Sequence, residues 1–210
     1  MNERIRKLGE FGVATVYEAR GRSGLIDVDL VQLLPGSSAS GSARTVLCAQ
    51  DDNRGVHELC AHIQPGDIAV LSMPEPRPVA LIGDLLVTQL QRAGARGILC
   101  DASVRDVDEL RAMGMPIWTR WIRARGAEKK ARGSVGAPLE IGGAVITEGD
   151  AVLLDADGGA VVPADEIENA YQLAAARVEK EEGLRKRWLE GELSYDAYGF
   201  RVEDEGVRTT

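Results

Sequence analysis

Residues 82–106 read Ile82-Gly-Asp-Leu-Leu-Val-Thr-Gln-Leu-Gln-Arg-Ala-Gly-Ala-Arg-Gly-Ile-Leu-Cys-Asp-Ala-Ser-Val-Arg-Asp106. Apolar residues recur at helical spacing over 83–93, and the unbroken apolar run over 97–101 reads as a buried strand. A strand-like run at 68–71 precedes them, so residues 68–101 form a strand, helix and strand, the pattern of a parallel crossover. On this reading residues 102–106 are the loop leaving the second strand. Such loops, at the carboxyl ends of strands, are where α/β sheets usually bind ligands.

Working outward, further strand-like runs fall at 43–48, 117–122, 139–141, 151–154 and 160–162, with helical periodicity at 5–20, 55–62, 107–113 and 165–190. The later strands are separated only by turns such as Gly142-Gly143, Glu148-Gly149-Asp150 and Asp157-Gly158-Gly159, which favours antiparallel pairing there. The expectation is an α/β domain that is not a plain doubly wound sheet. It covers residues 1–163, with a C-terminal helix and tail over 164–210. That helix follows Pro163 with Ala-Asp-Glu, acidic where the helix dipole favours it. Its apolar face is thin, suited either to a solvated edge or to a neighbouring subunit.

The 210 residues suit one domain with an appendage. A net charge of −8 argues against a nucleic-acid surface over the whole molecule. One stretch, Trp118-Thr-Arg-Trp-Ile-Arg-Ala-Arg, interleaves aromatics with arginines as a single-strand binding patch would; simple alternation along a strand explains the same spacing. The N-terminal stretch has charges without a following apolar run, so no secretory signal is read there, and no stretch approaches the roughly 20 apolar residues of a membrane span. Cys48, Cys60 and Cys100 lack metal-ligand spacing, and Cys48 and Cys100 each end an apolar run as buried thiols do. These features predict a cytoplasmic protein without membrane or nucleic-acid partners.

Gly83 and Asp84 stand at a helix start, where free backbone N–H groups suit a carboxylate or phosphate. Helix start and strand end can converge on one pocket, where Arg105 offers a fixed cation and Asp106 a hard oxygen ligand. Read alone, an Arg-Asp dipeptide in a loop is usually a surface ion pair, and Asp84 is accounted for as an N-cap. His57 and His62 are five apart, off the spacing that stacks them on one helical face. No Ser-His-Asp or Cys-His arrangement and no glycine-rich nucleotide loop is suggested.

The segments Gly83-Asp-Leu-Leu86 and Asp101-Ala-Ser-Val-Arg-Asp-Val-Asp-Glu-Leu110 resemble the family of 4-hydroxy-4-methyl-2-oxoglutarate / 4-carboxy-4-hydroxy-2-oxoadipate aldolases, which also includes the regulators of ribonuclease E activity. Gly12-Val-Ala-Thr-Val, Gly41-Ser-Ala-Arg, Asp52-Asn53, Gln64-Pro-Gly-Asp, Arg125-Gly-Ala-Glu-Lys and Leu154-Asp-Ala-Asp-Gly-Gly extend the likeness over nearly the whole chain. The tail from Glu181 to Tyr198 is similar to the aldolase branch. The resemblance implies stacked sheets with helices outside, in a swivelling-domain-like β/β/α arrangement, assembled as trimers or hexamers with sites between protomers. It also implies Mg²⁺ or Mn²⁺ held by Asp106 largely through waters, and Arg105 at the 2-oxo group of pyruvate. Backbone amides of Gly83, Asp84, Leu85 and Leu86 would take the pyruvyl carboxylate, and Asp84 would orient a proton-transferring water. A glutamate from the neighbouring C-terminal helix would complete the site; Glu181 matches best, with Glu179 and Glu182 beside it.

Elementary chemistry agrees with those roles. Carbon–carbon cleavage that leaves a pyruvate enolate needs a metal and a permanent cation near the oxygen, and arginine presents a charged fork. A water-rich Mg²⁺ site needs few protein ligands. The rival Schiff-base route has only Lys129 or Lys130 in mid-chain. Ser72-Met-Pro-Glu-Pro-Arg-Pro78, Ala102-Ser103 and Trp121 depart from the family pattern and bear on the substrate pocket. The expected activity is metal-dependent cleavage of a 4-hydroxy-2-oxo (di)acid to pyruvate and a second oxo acid, with oxaloacetate decarboxylation beside it. The alternative is a non-catalytic regulator that binds a nuclease or another protein.

Overall fold

The computed structural model describes residues 3–203. The chain divides after Ala174 into two units. The first opens with helices α1 (Glu3–Phe11) and α2 (Val13–Ala19). The periodicity over 5–20 predicts a single helix, but Gly12 breaks it with a φ of 86°. The Val13 amide beyond the break donates to the Asp155 carboxylate at 2.8 Å. There follow β1 (Val31–Gln32), β2 (Ala39–Leu47), α3 (Arg54–Leu59), β3 (Ile68–Ser72), β4 (Ala80–Ile82), α4 (Asp84–Ala93) and β5 (Gly97–Val104). Next come α5 (Val107–Met113), β6 (Ile117–Ile122), β7 (Ser134–Val135), β8 (Leu139–Ile141), β9 (Ala144–Ile146), β10 (Ala151–Asp155) and β11 (Gly158–Val162).

The main sheet has the order β1-β6-β5-β3-β2-β10-β11, with β4 beside β5 and β7 beside β2. β2, β3, β5 and β6 are parallel neighbours in space. β10 joins β2 and β11 antiparallel, as the short turns between the later strands predict. β2 belongs to both regions, since residues 39–42 pair with β10 and residues 43–47 with β3. The β8–β9 hairpin forms a separate small sheet.

Strand alternation sorts the core into layers. Ala69, Leu71, Ile98 and Cys100 meet Val56 and Leu59 of α3, Leu86, Val87 and Leu90 of α4, and Leu110 of α5. Their strand neighbours Ile68, Val70 and Leu99 turn to the opposite face and meet Trp118, Val152, Leu154 and the β8–β9 hairpin. Ala151, Leu153, Ala160 and Val162 face outward again, under Ile5 and Leu8 of α1, Val13 and Val16 of α2, and Ile167, Ala170 and Ala174. The result is stacked sheets with helices outside. Each fully buried Leu, Ile or Val here contributes roughly 1.5–3 kcal/mol relative to exposure.

Two expectations change. β5 continues through Ala102 and Ser103 to Val104, all fully buried, so the loop after it shrinks to Arg105 and Asp106. The three-residue strands β4 and β9 and the two-residue β1 and β7 escaped the sequence reading because each is too short to show a period.

A single 3₁₀ turn, Ala164–Glu166, leads into α6 (Ile167–Leu189), which carries the chain into the second unit. There a short helix, α7 (Ser194–Ala197), follows. This unit leaves Trp188, Leu189, Leu193, Tyr198, Phe200 and Val202 exposed. Among the described residues no helix is long and apolar enough to cross a membrane.

Candidate active site

β4 pairs in parallel with the end of β5, placing Ile82 beside Val104. The Arg105 amide then donates to the Ile82 carbonyl at 3.2 Å. The two strand ends thus deliver Gly83-Asp84 and Arg105-Asp106 to one place, as the crossover reading anticipates. Gly83, Asp84 and Arg105 border a small cleft of about 90 Å³, lined also by Leu85, Leu86, Asn53, His57, Ala127 and Lys129.

Gly83 caps α4 in extended conformation without a side-chain cap. Inside the helix the amides of Leu85 and Leu86 have no carbonyl partner, because the first turn of any α-helix lacks them. The bare glycine leaves room for the site: a Cβ at 83 would displace the Asp106 carboxylate and stand 3.2 Å from Arg105 Cγ and Nε. A Cβ at Gly126 would collide with Arg105 Nη1. The arginine therefore runs between two bare backbones.

Asp106 takes the left-handed conformation, with φ 59° and ψ 45°, and does not cap its own helix α5. Aspartate tolerates that region better than most residues. Its carboxylate instead accepts the Asp84 amide at 3.3 Å and lies 3.5 Å from Arg105 Nε. Both contacts are long, and the side chains of Arg105 and Asp106 are 46% and 36% exposed. Lone pairs thus remain for a ligand. Among the described residues no group of three or more His, Cys, Asp or Glu is placed to hold a metal ion. A single under-satisfied carboxylate fits Mg²⁺ or Mn²⁺ kept mostly in water, and it does not fit zinc, which wants several nitrogen or sulfur ligands.

The opposite wall comes from residues 125–131. The Ala80 amide donates to Arg125 O at 2.7 Å, and the Ala127 amide to Ala80 O at 3.2 Å. Buried Asp52 accepts the amides of Arg54, Lys130 and Ala131 at 2.8, 2.7 and 3.0 Å. Burial works to raise its pKa, but these N–H donors outweigh it and hold the carboxyl below its ordinary value. Asn53, which the sequence reading treats only as a landmark, is 7% exposed and lies in the wall of the cleft. Its signal was available only as its place beside Asp52. The departing loop at 72–78 is pinned through Gln50, which exchanges hydrogen bonds with Glu75 at 2.9 and 3.1 Å.

The six residues 83–86, 105 and 106 are therefore brought together. Glu181 belongs to the second unit, where it pairs with Arg177 at 2.7 Å. The Trp–Arg stretch resolves as alternation: Trp118 is 1% exposed and donates to Asp155 O, while Arg120 lies over the Trp121 ring. Arg120 also reaches Asp101 at 3.0 Å, whose other oxygen accepts the Ser72 hydroxyl at 3.0 Å.

The RraA-like family model, Aldolase/RraA, matches residues 13–162. This chain belongs to that family. Its relatives include a protein of Halalkalibacterium halodurans, provisionally named a 4-hydroxy-4-methyl-2-oxoglutarate aldolase, 29% identical over 75% of each chain. A Shewanella oneidensis protein with the same provisional name is 26% identical over 58% of this chain and 73% of its own. Among solved structures, Streptomyces coelicolor RraAS2, described as an unusual member of the RNase ES inhibitor RraA family, has a TM-score of 0.76 at 26% identity and covers 88% of this chain and 96% of its own. An uncharacterized Pseudomonas syringae protein shares the fold with a TM-score of 0.81 at 21% identity, over 94% of this chain and 98% of its own. The family thus spans provisionally named aldolases and RNase inhibitors.

Proposed function

We propose that this protein is a divalent-metal-dependent lyase that cleaves a 4-hydroxy-2-oxo acid to pyruvate and a second oxo acid, and that also decarboxylates oxaloacetate. The observation that carries the reading is that the α4 start and Arg105 share one cleft, and that the under-satisfied Asp106 carboxylate stands directly behind them, against the Asp84 amide and Arg105 Nε. The Leu85 and Leu86 amides bind the pyruvyl carboxylate, with the helix dipole behind them. The Arg105 guanidinium donates to the 2-oxo oxygen, and its charge counts most when that oxygen becomes an enolate. Both reactions form that enolate, so one site serves both. Asp106 would hold Mg²⁺ or Mn²⁺ through waters, and the bound ion would supply Lewis-acid polarisation of the 2-oxo acid. Asp84, beside the cleft, accepts a proton from the 4-hydroxyl through a water. Glu181 or a neighbouring glutamate of α6 is assigned to the site of an adjoining copy. The exposed aromatic and aliphatic side chains of the second unit support assembly into a trimer or hexamer.

The deciding experiment is pyruvate release from 4-hydroxy-4-methyl-2-oxoglutarate and from oxaloacetate, with Mg²⁺ or Mn²⁺ and with a chelator. Metal-dependent pyruvate from both is expected. No pyruvate from either would leave the second reading, a protein-binding regulator, which the 26% identity to RraAS2 favours.

A further inference from the structure

In the wall of the cleft, the side-chain amide of Asn53 is only half used. Its Nδ2 donates to the Leu81 carbonyl at 2.9 Å, which fixes the orientation of the amide. Its Oδ1 is buried and accepts no hydrogen bond. It does not serve as a helix cap either: Asn53 stands at the start of α3 with no side-chain cap bond, and the Arg54 amide goes to Asp52. A buried carbonyl oxygen left unpaired is costly, and such atoms in native proteins call for a reason. The residue is 7% exposed and shares the cleft wall with Asp84 and Arg105. The missing partner must be a donor, and Arg105 is already assigned to the 2-oxo oxygen in the reading above; an O–H group is the donor such an acceptor suits.

Resting on the aldolase reading above, we infer that Asn53 is a positioning residue for the proton-transfer step. Its Oδ1 and the Asp84 carboxylate accept the two hydrogens of one water. The water's lone pair is then left facing the substrate's 4-hydroxyl. In cleavage the hydroxyl proton passes to this water and a water proton passes to Asp84. The C3–C4 bond breaks, C4 becomes a carbonyl, and the electron pair moves into the pyruvyl enolate. Decarboxylation of oxaloacetate has no hydroxyl to deprotonate and does not call on this water.

The test compares the two reactions in Asn53→Leu and Asn53→Ser. Leucine removes both ends of the amide at similar volume. Serine is the safeguard against misfolding, because its hydroxyl can still donate to the Leu81 carbonyl while the acceptor at the Oδ1 position is withdrawn. For either folded variant, aldol cleavage should fall on the order of 10²-fold, mainly in kcat. Oxaloacetate decarboxylation should fall much less, so that the ratio of the two rates moves by about tenfold or more. Equal losses in both reactions, or no loss in either, would overturn the role of Asn53. Wild-type protein inactive on both substrates would overturn the aldolase reading itself, a distinct result.

Discussion

β5 supplies both members of an instructive pair. Within the strand, Asp101 meets Arg120 at 3.0 Å and the Ser72 hydroxyl at 3.0 Å, with its side chain 3% exposed. Immediately after the strand, Asp106 meets Arg105 at 3.5 Å with both side chains open to solvent. The chemistry of the groups is the same and the circumstances are opposite. Asp101 has a partner for each oxygen, so its charge is spent on holding β3, β5 and β6 together. Asp106 sits in a left-handed conformation and receives only long contacts, so its bonding capacity is left for something else. An aspartate–arginine pair becomes a site through what surrounds it.

The sharpest way to break this comparison is Asp106→Ala. Loss of the metal's carboxylate should cost several kcal/mol of transition-state stabilisation, a rate loss on the order of 10³-fold or more in both reactions. Unfolding in urea should move by less than about 1 kcal/mol, as for an exposed pair. Retained metal-dependent turnover would refute the contrast.

Next in size, Arg105→Ala should lower both reactions by roughly 10²–10³-fold, the range for removing a donor to a developing oxyanion. Arg105→Lys should recover only part of that, since it keeps the charge and loses the fork. Full recovery with lysine would mean that the arginine acts only as a point charge.

On the buried side, Asp101→Ala should cost about 3 kcal/mol of stability by leaving Arg120 without its partner. The kinetic constants of the folded protein should change little. A stable variant with impaired catalysis would turn the comparison upside down.

The smallest effect is in pH. Burial raises the Asp101 pKa, and hydrogen bonds from Ser72 and Arg120 only partly oppose it. The native state therefore binds this proton more tightly than the unfolded chain does. Its contribution to stability is fully present below the ordinary carboxylate pKa of about 3.9 and is lost as pH rises through the raised folded value. In Asp101→Asn that falling contribution disappears, so stability should climb more steeply with pH in this acid window than in the wild type. Parallel curves from urea titrations at several pH values would show that Asp101 does not titrate there.

Much of the architecture was legible in the chain itself. The unbroken apolar runs at 68–71 and 97–101, the helical spacing between them and the Gly-rich turns after residue 141 determine a parallel core with antiparallel additions, because strands buried on both faces are apolar throughout and short turns allow only antiparallel return. That Gly83-Asp84 and Arg105-Asp106 could share a pocket was also legible, as a helix start and a strand end, although β4, which brings them together by pairing with the end of β5, was not. What the sequence could not decide was everything that rests on long-range contact. The break at Gly12 answers a carboxylate 143 positions away at Asp155. The short strands β1, β4 and β7 are held by longer neighbours, β6, β5 and β2, that pair with them. The sequence placed Asp101 at a strand end and Asp106 in the loop beyond it, without showing which of them has its oxygens satisfied. Only the folded chain, by burying one beside Ser72 and Arg120 and leaving the other half exposed at a helix start, gives the first a structural task and leaves the second free for chemistry. Hydrogen-bond satisfaction and desolvation depend on which atoms meet in space, and neither has a period along the chain.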